Sequence, residues 1–76
     1  MPRSSHESVF TQVNQVETDA DGFVHVKDKT GLDEVLLGRS SNGYNPKQVK
    51  AGMCITFEYL RVSGCPMLTN WTVEEN

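Results

Sequence analysis

The sequence predicts a small all-β domain of five strands, in its simplest form closed into a barrel. Three observations predict it: apolar and polar residues alternate over short runs, turn signals recur roughly every ten residues, and no stretch carries a strong amphipathic helical stripe. With 76 residues the chain makes one domain, near the size at which a single hydrophobic core barely suffices. A barrel suits such a chain because closure removes the exposed edges that a flat sheet carries.

The elements follow in order. Residues 1–7, MPRSSHE, lack periodicity and read as a flexible leader, which leaves 8–76 as the domain. In SVFTQVNQVET the apolar residues recur at a helical spacing, yet β-branched and aromatic types dominate, which favours a strand with a bulge or bend. DADG is a turn signal. Beyond Gly22, Val24 and Val26 point one way while Phe23, His25 and Lys27 point the other. DKTG supplies a hairpin turn, and EVLLGRS reads as a partly buried third strand. SNGYNPKQVKAG is the longest loop, with room for one helical turn. MCITFEYLRV is the clearest strand, with Ile55 and Phe57 on one face, and SGCP turns it into MLTNWTVEE, which carries Trp71 and Val73. Alternation then predicts a core of Phe10, Val13, Val24, Val26, Val35, Leu37, Ile55, Phe57, Trp71 and Val73. An OB-type barrel is the first expectation and an SH3-like barrel the second.

Composition narrows the function. A hydrophobic share of 37% with 22% charged residues is that of a folding chain rather than a disordered one. Seven basic against ten acidic residues give a net charge of −3, which argues against gripping duplex nucleic acid through its phosphates. Binding of single strands by stacking survives that objection, since it also draws on aromatic rings. Cys54 and Cys65 are too few for a disulfide framework and read as free thiols in a reducing compartment, although their strands should be adjacent and a disulfide between them is geometrically allowed. No apolar run approaches the roughly 20 residues of a membrane span and the first residues are polar, so a cytoplasmic protein without a membrane segment is expected.

No Ser-His-Asp or Cys-His order stands out and so small a barrel offers no deep cleft, so the chain is not expected to be an enzyme or to carry a cofactor. DADG resembles the start of a calcium loop but lacks the later ligands. His6 and His25 lack the short spacing to the cysteines that structural zinc sites use, so no metal is expected.

From about Val9 to Val73 the sequence resembles the cold-shock domain family. PKQVKAGMCITFE is similar to the family's loop ending in Gly, followed by an apolar-polar-Phe triplet and Glu. GCPMLTNWTV is similar to its closing Gly-Pro, Asn and apolar strand, while DEVLLGRSS and GFV sit where the family has its Phe-His-Phe strand and the end of its second strand. The resemblance implies an OB-fold and binding of single-stranded RNA or DNA through stacked rings. The ring set itself is depleted. Gln12 takes the place of the first-strand Trp, the first Phe of the second strand falls in DADG, and Leu36, Gly38 and Arg39 replace the third-strand trio. Phe23 alone is kept.

The expected function is therefore weak, regulatory single-strand binding through Phe23, His25, Lys27, Arg39 and Tyr44. Lys29 adds charge nearby. Against these cations stand Asp19, Asp21, Asp28, Asp33 and Glu34 in the same turns. The alternative is a protein-interaction module, of a kind that would suit a viral or mobile-element regulator, using the face with Leu36 or the acidic rim.

Overall fold

A computed structural model describes residues 4–74. Six strands and one 3₁₀ turn follow one another: β1 (Ser4–Gln12), β2 (Gln15–Thr18), β3 (Val24–Lys27), β4 (Asp33–Leu36), the 3₁₀ turn Pro46–Gln48, β5 (Cys54–Val62) and β6 (Cys65–Glu74). They form two three-stranded antiparallel sheets, ordered β1-β5-β6 and β2-β3-β4. The all-β expectation holds, but there are six strands rather than five, and no strand ladder closes the two sheets into a barrel among the described residues. No helix there is long and apolar enough to cross a membrane.

The extra strand arises from the bend that SVFTQVNQVET predicts. Val13 donates its N–H to the Met53 carbonyl at 2.8 Å and accepts from Gly52 at 2.8 Å, beside β5. The next N–H, of Asn14, goes to Lys27 of β3 at 2.8 Å. The chain thus leaves one sheet and enters the other over two residues, without leaving backbone groups unpaired. The proposed leader is corrected in part: residues 4–7 belong to β1, where they pair with β5 from Tyr59 to Val62. Residues 1–3 lie outside the described residues.

The core lies between the sheets. Ile55, Phe57, Trp71 and Val73 come from one, with Phe57 opposite Trp71 and Ile55 opposite Val73; Val24, Val26 and Leu36 come from the other. Val13 at the bend and Val49 beyond the 3₁₀ turn complete it. Seven of the ten expected core residues are therefore inside. Phe10 is 66% exposed because the bend comes only after Gln12, so that Val9, Thr11 and Val13 share the inward parity and Phe10 the outward one. In β4 the register is one residue off: Leu36, opposite Val24, is buried, whereas Val35 is half-buried and Leu37 is 67% exposed.

The β5–β6 connection is a two-residue turn, Ser63-Gly64, with φ of 53° and 83°. Two positive φ values match the twist of a tight hairpin, and glycine at the second position adopts one without strain. Cys54 and Cys65 stand at opposite ends of the β5 side of this hairpin, since Cys65 pairs with Val62. Eight strand positions separate Cys54 from Val62, roughly 26 Å at the usual rise. The disulfide allowed by the sequence is thereby ruled out within one chain, and both thiols are free.

Candidate nucleic-acid interface

The outer face of β2-β3-β4 carries the row singled out in the sequence. Phe23 is 46% exposed, and His25 and Lys27 are half-buried on the same side, opposite the buried Val24 and Val26. The turn before β3 sets this row. Asp19 Oδ1 accepts the N–H groups of Asp21 at 2.9 Å and Phe23 at 3.0 Å, and Gly22 at a φ of 89° lets the chain reverse. The DADG carboxylate is thus a turn former whose oxygens are already engaged.

Strand pairing then brings acids beside the two basic residues. Glu17 lies opposite His25 and Gln15 opposite Lys27 in the β2-β3 register. His25 Nε2 meets Asp19 Oδ2 at 2.8 Å and Lys27 Nζ meets Glu17 Oε2 at 3.4 Å. The His25 bond, with the Phe23 N–H, holds the Asp19 carboxyl below its ordinary 3.8. Both basic residues of the row therefore have a local acid, and a phosphate arriving there would meet Asp19 and Glu17 first.

Phe23 has a different setting. With Leu37, Arg39 and Lys47 it lines a cleft of about 260 Å3 between the start of β3, the end of β4 and the 3₁₀ turn. Its two charged walls, Arg39 and Lys47, are both cations, and no carboxylate among the described residues lines it. Arg39 is steadied by a hydrogen bond from its Nη1 to the Gly43 carbonyl at 3.2 Å. Lys47 is placed by a capping box, in which Asn45 accepts the Lys47 N–H at 3.0 Å while its own N–H goes to the Gln48 side chain at 2.7 Å. Tyr44 does not join this cleft. It is half-buried against the core in the Ser40–Tyr44 loop, where its N–H is bound by Ser40 Oγ at 2.8 Å.

The five expected residues thus separate into Phe23 with Arg39, His25 with Lys27, and Tyr44 alone. Sequence reasoning missed Leu37, assigned to the core, and Lys47, left in a loop; the signal for Lys47 was NPKQ, a capped turn with Pro at its start. Leu36, placed in the sequence on a protein-binding face, is buried in the core.

Two further features lie away from this cleft. A cavity of about 510 Å3 sits at the bend and is lined by Thr11, Asn14, Asp28 and Lys29 among others. There Asp28 accepts from the hydroxyls of Thr11 and Thr30 and from the N–H of Leu32, and these bonds hold it at about 2, with the Thr11 bond the largest cause. Where β4 faces β5, Glu34 has its carboxyl raised by burial beside Tyr59, whose phenol burial and the Glu34 charge push up to about 12. Comparison of the chain with family models, with curated proteins and with solved structures finds no match.

Proposed function

We propose that this chain is a weak binder of single-stranded RNA or DNA, built on an OB-type scaffold of cold-shock-like kind. The observation that carries the reading is the all-cationic cleft of Phe23, Leu37, Arg39 and Lys47. A base stacks on the exposed Phe23 ring, Leu37 covers its edge, and Arg39 or Lys47 meets the adjoining phosphate. One stacked base contributes about 1–3 kcal/mol, so the affinity expected is micromolar or weaker. His25 and Lys27 extend this track only when a ligand displaces Asp19 and Glu17. The scaffold reading is supported by the chain path: counted as one bent strand, β1 and β2 make five strands, left open between β4 and β6. The role proposed is regulatory and its setting cytoplasmic.

Titration with single-stranded oligonucleotides at low and moderate salt, followed through backbone amide signals, tests the reading. Shifts should cluster at Phe23, Leu37, Arg39 and Lys47, and Phe23→Ala should weaken binding by about 1–3 kcal/mol. Unmoved signals at these residues in low salt would end it.

A second reading, a module that binds a protein segment, is favoured by one observation. The gap between β4 and β6 is a cleft of about 340 Å3 in which Val35, Leu37 and Leu68 stand beside Asp33 and Glu34, with Arg39 as its one cation among the described residues. Its apolar floor and acidic end suit an extended basic segment. Amide shifts confined to β4 and β6 on adding such a peptide would move the conclusion to this reading.

A further inference from the structure

We propose that the outer edge of β1 is a dimerisation edge, along which a second copy of this chain pairs antiparallel about a two-fold axis at Val9. Two three-stranded sheets then become one of six. The inference is independent of the nucleic-acid reading, because β1 shares no residue with the Phe23 cleft.

Four strands have an unpaired edge among the described residues: β1 and β6 in one sheet, β2 and β4 in the other. An unpaired edge offers its N–H and C=O groups to any strand, so stable monomers blunt it with brevity, charge, proline or a bulge. β2 and β4 are four residues long, and they carry Glu17 and the Asp33-Glu34 pair. β6 has Pro66, which lacks an N–H, and a register shift opposite Glu58 and Tyr59. β1 has none of these devices. It runs nine residues in unbroken register with β5 and contains neither Pro nor Lys. Its one formal charge, Glu7, is already bound by Arg61 at 3.0 Å.

The side chains select the occupant. With Glu7 neutralised, nothing along the edge recruits a charged foreign strand. The same edge pairs with itself without conflict: about an axis at Val9, Val9 meets Val9 of the second copy, Phe10 meets Ser8, and Glu7 meets Thr11. No like charges face each other, as they would about an axis at Glu7. The two Phe10 rings, each 66% exposed in the single chain, become diagonal neighbours on the outer face. Such an isologous contact satisfies both edges at once and closes, so it yields dimers rather than fibres.

Sedimentation velocity of the full chain, from low micromolar to near-millimolar concentration, tests the proposal. A monomer–dimer equilibrium is expected, with contacts between labelled and unlabelled copies in isotope-filtered NMR at Val9 and Phe10. Phe10→Lys, a change on the outer face, should weaken the dimer about tenfold or more while dilute samples keep the unaltered melting temperature. A chain monomeric throughout, or a dimer whose contacts lie on β6 or the outer sheet face and which ignores Phe10→Lys, overturns it.

Discussion

The Thr11 hydroxyl of β1 donates to the carboxylate of Asp28, the residue just after β3, and so ties one sheet to the turn that ends a strand of the other. Asp28 also accepts from Thr30 at 2.7 Å and from the Leu32 N–H at 3.0 Å, so one side chain serves both the turn and the sheet-to-sheet contact. All of these bonds favour the ionised form.

A pH dependence follows with a definite sign. The unfolded chain titrates Asp28 near the ordinary aspartate value of 3.8, whereas the fold holds it at about 2. A depressed carboxylate stabilises the fold fully above 3.8 and loses that contribution as the pH falls towards 2. Asp28→Ala should therefore lower stability at neutral pH, by about 1–2 kcal/mol from the hydrogen bonds lost. Urea unfolding of both proteins should show the gap narrowing through that acid window. A gap independent of pH would show that Asp28 acts through shape alone.

Substitutions in β4 report its register. Leu36→Ala removes a buried side chain and should cost about 2–4 kcal/mol, a large part of what so small a domain has. Leu37→Ala changes a side chain that is mostly solvated and should stay within about 0.5 kcal/mol. Phe57→Ala, at the centre of the core, should cost about 3–5 kcal/mol. Thermal melts of the three proteins give the order, and equal losses at Leu36 and Leu37 would contradict the pairing of Leu36 with Val24.

β3 was legible in the sequence because Val24 and Val26 are the only apolar residues of a strictly alternating run, and β5 because Ile55 and Phe57 repeat that pattern. β4 was not, since Val35, Leu36 and Leu37 are adjacent apolar residues and alternation cannot choose among them; the pairing with Val24 does. β1 misled for a related reason. Phe10 and Val13 invite a parity change between them, but the bend that changes parity comes later, where Gly52 and Met53 hold Val13. The candidate site was half legible. Phe23 and Arg39 were found through the family pattern, whereas Lys47 reaches them only through the fold of a distant loop. The acids that occupy His25 and Lys27 were visible as composition, yet only strand register says that Glu17 and Asp19 are the ones in reach.

Glu34 gives a stability change of opposite sign to Asp28. Burial raises its carboxyl above the ordinary 4.5, so ionisation opposes folding once the pH exceeds that value, and the penalty fades as the pH falls. Glu34→Gln should stabilise at neutral pH by no more than about 1 kcal/mol, because the group is only partly buried and solvent still screens it, and should make no difference in acid. Chemical unfolding at the two pH values checks this. A destabilised variant at neutral pH would mean that the carboxylate's bond with Tyr59 outweighs its desolvation.

Removing an acid should strengthen nucleic-acid binding where removing a cation weakens it. Glu17→Gln releases Lys27 from its 3.4 Å partner and leaves it for a phosphate. Affinity for single-stranded oligonucleotides should rise severalfold, and the salt dependence should steepen by about one phosphate contact. Fluorescence titrations at several salt concentrations measure both, and an unchanged slope would place the bound strand away from β3.

The bend at Val13 and Asn14 also bears on the order in which the molecule assembles. β2, β3 and β4 are neighbours in sequence, as are β5 and β6, so each group closes only short loops. β1 instead meets β5 across most of the chain, with Val9 beside Phe57, and that closure carries the larger entropic cost. The two local groups should form first and β1 dock last, in a step that is also the first to reverse under native conditions. In deuterated buffer the amides of Ser5–Ser8 should exchange well before those of β3 and β5, and the bend is where protection should begin.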